Sequence, residues 1–334
     1  MSTQLDIDLD AEGRQFGTVT MPLNLAEGSG SQQVEMPIIS LRSGAGPTLV
    51  LTGGVHGDEY EGPVALAELG RTLDLRHVNG HIIIMPTANG LAFLAGKRNT
   101  PQDGGNLNRA FPGTIDGTFT SRLAHFIETE LLARADYTAD FHGGGEILDF
   151  LPSTLFVVTG DAAEDQKRMD LAAAFGARHC MLFGFKTMGV EVGIDAAMLR
   201  QGVIGISGEY GGSAALGIET LDICRQGVRR LLAYTGIVRP EMPPPLAIEP
   251  TLVDVREEES YVVAPCEGVF EPVVELGGFV QGGSPVARMH RPDRPAEEAE
   301  IVHARCDGIV MAMRARAKSS PNDWLFVIGR PVRL

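Results

Sequence analysis

The stretch from Thr48 to Gly62 constrains the fold more than any other part of the chain. Thr-Leu-Val-Leu-Thr at 48–52 reads as a buried strand, and Gly53-Gly54 stops it. His56 and Glu59 follow at once, so two metal-capable side chains sit three positions apart in a polar loop. In open α/β sheets, ligands bind outside the carboxyl ends of the strands. Such a segment is half a site, and other strand ends must supply the rest.

Two later segments have the same form. Tyr137 to Phe141 reads as a strand and runs into His142-Gly143-Gly144-Gly145. Gly202 to Ile206 reads as another, followed by Ser207-Gly208-Glu209-Tyr210-Gly211-Gly212. Further strands are expected at His81–Met85, stopped by Pro86, and at Leu155–Val158. Apolar spacing predicts helices at Pro63–Leu73, Ser121–Ala133, Ala162–Phe175 and Glu219–Tyr234. Asp161 is the expected N-cap of the third, and Gly176 lies just past its end. Strands alternating with helices imply a layered, mainly parallel α/β sheet. Residues 1–47 read as a β-rich lead-in. Asn89 to Pro112 is glycine- and polar-rich with little periodicity and reads as one long loop, a length that inside a compact domain is usually functional or disordered.

Composition changes after residue 238. Arg239 to Pro250 holds five prolines and reads as a stiff linker. Beyond it the pattern is β only, with a weak repeat: Ala264-Pro265-Cys266-Glu267-Gly268-Val269-Phe270 matches Ala304-Arg305-Cys306-Asp307-Gly308-Ile309-Val310. This predicts a small two-fold β-sandwich or barrel and resembles the biotinyl/lipoyl-like barrel-sandwich domains. The lysine such domains modify is missing near Met311-Ala312-Met313, so a covalent carrier role is not expected. The division read from the sequence is an α/β body at 1–238, a linker at 239–250 and a small β domain at 251–334.

A net charge of −15 argues against a nucleic-acid partner, which needs Lys/Arg patches to neutralise phosphates. No apolar run reaches the ~18 residues of a membrane span. Met1 to Asp10 is polar and acidic, unlike a signal peptide. Four scattered cysteines, Cys180, Cys224, Cys266 and Cys306, form no Cys-x-x-Cys pair. The expectation is a cytoplasmic protein with free thiols; pairing of Cys266 with Cys306 is not favoured.

His56, Glu59 and His142 make a two-imidazole, one-carboxylate set, one of the ligand sets of a catalytic zinc with a position left for water. Ligand type alone leaves cobalt, nickel or iron open. Asp140, two residues before His142, would point to the same side of a strand and could accept that imidazole's second N–H. Hydrolysis also needs a proton carrier, and Glu209 is the candidate. A tetrahedral oxyanion needs a positive group besides the metal; Lys97, Arg98 and Arg109 are available. Asn108-Arg109 could hold a substrate carboxylate, the guanidinium bidentate. Taken singly, each residue has a plainer reading: a solvated loop pair, a hydrogen-bonded core histidine, a turn cap, a surface ion pair. Asp58 or Glu61 could stand in for Glu59. His77, His81, His125, His179, His290 and His303 read as structural. The joint placement after three glycine-flanked strands is what favours a site.

Four stretches together resemble the succinylglutamate desuccinylase/aspartoacylase family, related to zinc carboxypeptidases. They are Gly54-Val55-His56-Gly57-Asp58-Glu59, Gly105-Asn106-Leu107-Asn108-Arg109-Ala110-Phe111-Pro112-Gly113, Asp140-Phe141-His142-Gly143-Gly144 and the Glu209 segment. They come in the family's order within roughly residues 40–238. The resemblance implies a carboxypeptidase-like three-layer α/β/α mixed sheet, with the β barrel-sandwich-like domain following it. It implies zinc on His56, Glu59 and His142, with Glu209 as general base and acid. Asn108 and Arg109 would bind the amino-acid carboxylate, and Arg98 would polarise the scissile carbonyl. The surroundings of Glu209 are glycine-rich, not the Glu-x-Gly-Pro of aspartoacylases proper, which leaves the substrate open. With its C-terminal β extension and the runs Asp58-Glu59-Tyr60-Glu61-Gly62-Pro63 and Asn106-Leu107-Asn108-Arg109, the chain most resembles the N-acetyl-diaminobutyrate deacetylase branch of ectoine breakdown, and that substrate ranks first among specific ones. The expected activity is a zinc-dependent hydrolase that removes a short acyl group from an N-acyl amino acid. A zinc carboxypeptidase acting on short peptides, and a non-catalytic metal- or ligand-binding protein, are the alternatives. A homo-oligomer is left open.

Overall fold

The computed structural model describes residues 3–23, 32–185, 190–239 and 249–333. Eighteen strands and six α-helices follow one another among the described residues. The N-terminal part supplies β1 (Gln4–Leu5), β2 (Gly13–Leu23), β3 (Gln32–Ser43), β4 (Thr48–Gly53), α1 (Glu61–Thr72), β5 (Gly80–Met85), α2 (Gly90–Ala95) and α3 (Phe119–Phe126). The middle supplies β6 (Tyr137–His142), β7 (Leu148–Val157), α4 (Ala162–Phe175), β8 (His179–Phe183), α5 (Ile194–Arg200), β9 (Ile204–Gly212) and α6 (Ile218–Tyr234). The C-terminal part is β only: β10 (Thr251–Asp254), β11 (Tyr261–Val263), β12 (Gly268–Pro272), β13 (Phe279–Val280), β14 (Pro285–His290), β15 (Glu300–His303), β16 (Gly308–Arg314), β17 (Lys318–Ser319) and β18 (Trp324–Val332).

One large mixed sheet organises the molecule, in the order β1-β2-β3-β5-β4-β6-β9-β7-β8-β10-β18-β16-β13. Its centre, β5-β4-β6-β9, is parallel. Antiparallel pairs join at β3–β5 and β9–β7, so the sheet is mixed rather than mainly parallel. Both faces are covered, which is why the central strands read as unbroken apolar runs. Leu49, Leu51, Ile82 and Ile84 pack with residues of α1, α4 and α6 on one face. Val50, Ile83 and Met85 pack with residues of α3 and α5 on the other.

The longer helices follow their local signals. Asp161 caps α4, accepting from the backbone N–H of Ala163 and Glu164, and Gly176 ends it in the left-handed region at φ 82°. The helix expected at Ser121–Ala133 starts earlier, at a Thr118 cap, and widens into a π turn at Ile127–Leu131 before a last 3-10 turn. The expected long loop at Asn89–Pro112 contains α2, capped by Asn89 and ended by Gly96 at φ 57°. Six residues are too few for periodicity to reveal. Strand β7 begins at Leu148 rather than Leu155, and β9 runs on through Glu209 to Gly212.

Most of the expected linker at 239–250 falls outside the described residues. The chain after it does not stand apart from the sheet. Strand β10 pairs in parallel with β8, and β16 pairs with β7. The repeat read in the sequence places Gly268 and Gly308 at the same point, as the first residues of β12 and β16. Strand β12 belongs to a separate four-stranded sheet, β15-β14-β12-β17. All four cysteines are free. No helix among the described residues is long and apolar enough to cross a membrane.

Candidate metal centre

Three neighbouring parallel strands bring the site together. Strand β4 delivers the 54–60 loop, β6 ends in His142, and β9 carries Glu209 opposite His142 in register. Glu209 therefore lies within a strand, not in a loop after one. The start of the His56 loop is held by the segment that leads into α2. The N–H of Ala88 donates to Gly53 O at 2.8 Å and that of Asn89 to Gly54 O at 3.0 Å. Gly57 permits a backbone contact that no side chain would: a Cβ there would sit 2.0 Å from Ala92 C.

The ligand atoms of His56, Glu59 and His142 lie within 4.8 Å of one another, and all three residues are buried. Both imidazoles turn Nδ1 toward the same carboxylate. His56 Nδ1 is 2.8 Å from Glu59 Oε1, and His142 Nδ1 is 3.0 Å from Glu59 Oε2. The far nitrogens meet acceptors. His56 Nε2 is 3.1 Å from Asn106 Oδ1, and His142 Nε2 is 2.6 Å from Asp140 Oδ2. An Nε2–H donated to Asn106 leaves the His56 Nδ1 lone pair free for a cation, and the Asp140 carboxylate at 2.6 Å favours the same tautomer of His142 over the weaker approach of Asn108 Nδ2 at 3.4 Å. Two nitrogens and one carboxylate oxygen suit a divalent transition ion of the zinc type. Asp58 and Glu61 are engaged elsewhere: Asp58 accepts from Glu146 N–H, and Glu61 from Thr220 and Gly217. The other histidines lie outside the cluster; His81, for one, pairs with Ser40 Oγ at 2.9 Å.

Burial opposes ionisation of Glu59, but the two imidazoles outweigh it and hold its carboxyl well below the usual range. Burial lowers His56. Burial also opposes charge on His142, yet Asp140 and Glu59 raise it well above an ordinary histidine. Burial pushes Glu209 up to about 8, with His142 working against the rise and Glu59 adding to it. Glu209 Oε2 is buried with no hydrogen-bond partner, an orphan acceptor beside the ligand set.

A cavity of about 410 Å³ opens over this cluster, lined by His56, His142 and Glu209 and by Arg98, Asn108 and Arg109. Gly57 N–H donates to Lys97 O at 2.9 Å, which brings the next residue, Arg98, onto Glu59, Nη1 to Oε1 3.0 Å. Lys97 is not among the lining residues. Asn108 Oδ1 accepts from Ile194 N–H at 2.9 Å, and Arg109 Nη1 donates to Asn108 O at 2.6 Å.

The sequence reading missed part of this wall. Asn106, which fixes the His56 ring, stood in plain view beside Asn108 but carries no spacing signal for an outer partner. Asp195 lines the cavity from a helix too short to recognise. Tyr261, Arg314, Asn322, Asp323, Trp324 and Val327 close it from the C-terminal strands. Pairing of β16 with β7, Arg314 opposite Leu148, puts them there.

A model of the succinylglutamate desuccinylase/aspartoacylase catalytic domain matches residues 45–235. The N-alpha-acetyl-L-2,4-diaminobutyric acid deacetylase of Halomonas elongata is 36% identical over 327 residues, 98% of this chain and 94% of that one. The crystal structure of a succinylglutamate desuccinylase/aspartoacylase from Rhodobacter sphaeroides superposes with a TM-score of 0.92 at 33% identity, over 100% of this chain and 99% of the other. The product-bound ectoine utilization protein EutE (DoeB) from Ruegeria pomeroyi superposes with a TM-score of 0.91 at 33% identity, over 98% of each chain.

Proposed function

The chain belongs to the succinylglutamate desuccinylase/aspartoacylase family, and from that premise we propose that it hydrolyses the amide of an N-acyl amino acid, releasing a short acyl group. The observation that carries the reading is the buried, unpartnered Oε2 of Glu209, a residue held in register beside His142 and lining the same cavity as the converging imidazoles. Binding alone has no use for a proton carrier there. N-acetyl-diaminobutyrate ranks first among specific substrates, because the curated relative bears that activity in its name over nearly the whole chain.

His56, Glu59 and His142 would hold zinc. When bound, zinc supplies Lewis-acid polarisation of a carbonyl and a water of lowered pKa. Glu209 takes the proton of the attacking water and returns it to the leaving nitrogen; a carboxyl raised toward neutrality by burial suits both tasks. Asn108 and Arg109 hold the amino-acid carboxylate. Arg98 faces the acyl carbonyl and shares the charge that develops on its oxygen. The C-terminal strands supply one wall of the cavity.

We read the body as a carboxypeptidase-like layered fold and residues 251–334 as a barrel-sandwich-like unit that has become one wall of the site. Free cysteines fit a cytoplasmic setting. A cavity of about 410 Å³ accommodates an acylated amino acid better than a peptide, which ranks the carboxypeptidase alternative second. The test is an amine-release screen of the purified protein over N-acyl amino acids and tetrapeptides, with elemental analysis of the same sample. Release from acylated amino acids with near one zinc per chain is expected. Cleavage of tetrapeptides alone would reverse the ranking.

A further inference from the structure

The cavity holds one carboxylate to which the chemistry above gives no task. Asp195, in the first turn of α5, lines it. Asp195 Oδ1 accepts from Ser207 Oγ at 2.7 Å, and among the described residues no Lys, Arg or His nitrogen lies within ion-pair distance of it. Two other charged groups of the wall are paired within the protein, and Arg109 is near enough to act on Asp195 by its charge. Arg98 sits on Glu59. Arg314 donates to Asp323 at 2.7 Å and to the carbonyls of Lys318 and Arg316, which occupies both members of that pair.

The position of Asp195 says which half of the substrate it meets. The preceding residue, Ile194, donates its N–H to Asn108 Oδ1, so Asp195 adjoins the side chain assigned to the amino-acid carboxylate. It therefore faces the leaving amino acid, not the acyl group. A second carboxylate on that amino acid would meet like charge there. A purely apolar side chain would strip water from Asp195 and return nothing. An ammonium would restore a charge-assisted hydrogen bond. Burial already pushes the Asp195 carboxyl up, a strain a bound cation relieves.

We infer that Asp195 reads a free ammonium on the leaving amino acid, so that the preferred substrate is a monoacylated diamino acid. This rests on the amide-hydrolase reading of the same cavity, and what it adds is the residue that would read the free amine of the substrate named for a relative.

The test compares kcat/KM for N-acetyl-2,4-diaminobutyrate with that for N-acetyl-2-aminobutyrate, which differs chiefly by the missing amine. Wild type is expected to favour the diamine by at least about tenfold, the worth of one charged hydrogen bond. Asp195→Asn keeps an acceptor for Ser207 and removes the charge, so the ratio should fall toward one. Ser207→Ala keeps the charge and should keep the ratio. Equal losses on both substrates in Asp195→Asn, or an unchanged ratio, overturn the assignment. Should that variant not fold, the wild-type ratio decides alone, and a value near one or below overturns it. If wild type cleaves neither compound, the screen over other acyl groups decides the hydrolase reading, and calorimetry on wild type and Asp195→Asn decides the Asp195 question separately. Free 2,4-diaminobutyrate binding at least about tenfold tighter than 2-aminobutyrate upholds it, and equal binding overturns it.

Discussion

His142 presents its outer nitrogen to Asp140: Nε2 and Oδ2 are 2.6 Å apart, and Thr52 Oγ1 donates to the other oxygen of that carboxylate at 2.6 Å. Strands β4 and β6 pair with Thr52 opposite Asp140, so the sheet itself holds the second partner of a metal-capable ring. Asp140→Asn would place an amide N–H against Nε2 and disfavour the tautomer that bares Nδ1. Zinc affinity should drop about 10–100-fold, with the fold intact. Competition against a chromophoric chelator measures it, and wild-type affinity in the variant would detach Asp140 from the centre.

Glu209 can be tested apart from metal loading because it is not one of the three converging ligands. Glu209→Gln preserves shape and removes the titrating oxygen. Turnover should fall by about 10²–10⁴, while zinc content and ligand binding stay near wild type. Single-turnover kinetics with a bound-metal assay separates the two effects. Near-normal turnover would remove Glu209 from the proton transfers.

Much of this centre was legible because its parts sit where parallel strands end, and glycines announce those ends. His56, Glu59 and His142 converge as their positions imply, and Asp140 points the way a period of two requires. Glu209 was found by its neighbours, although β9 carries it inside the strand. What stayed hidden depends on contacts distant in sequence. No local pattern tells that β16 will pair with β7, more than 150 positions earlier, and so bring Arg314 and Trp324 to the cavity. Asp195 and α2 were missed for a different reason: elements of six or seven residues complete too few turns to leave a periodic trace, even with Asn89 and Gly96 marking the ends of α2.

His81 gives stability a dependence on acid that is separate from the site. Burial lowers its pKa to about 4, with the Arg42 charge adding, against about 6.5 for an unperturbed histidine. Between those values the unfolded chain takes up a proton that the folded chain refuses. Stability should therefore decline as pH falls from about 6.5 to about 4 and be indifferent to this residue above that window. Urea melts at stepped pH should show a shallower acid limb in His81→Gln. An identical slope would assign the acid sensitivity to other groups.

Gly57 and Gly104 separate two reasons for a glycine. A Cβ at Gly57 would strike the backbone of α2, with Ala92 C at 2.0 Å and Ala92 O at 2.1 Å. Backbone cannot swing aside as a side chain can, so the 54–60 loop must move, and His56 and Glu59 with it. Gly104 is at φ +68° with nothing within 4 Å of a Cβ, so alanine there strains only its own backbone. Gly57→Ala should cost about 1–3 kcal/mol and weaken zinc binding markedly. Gly104→Ala should cost about 1 kcal/mol and leave zinc binding as it was. Denaturant melts beside metal titrations of both variants test the contrast. If Gly57→Ala bound zinc as tightly as wild type, contact with α2 would not be what holds the first two ligands in place.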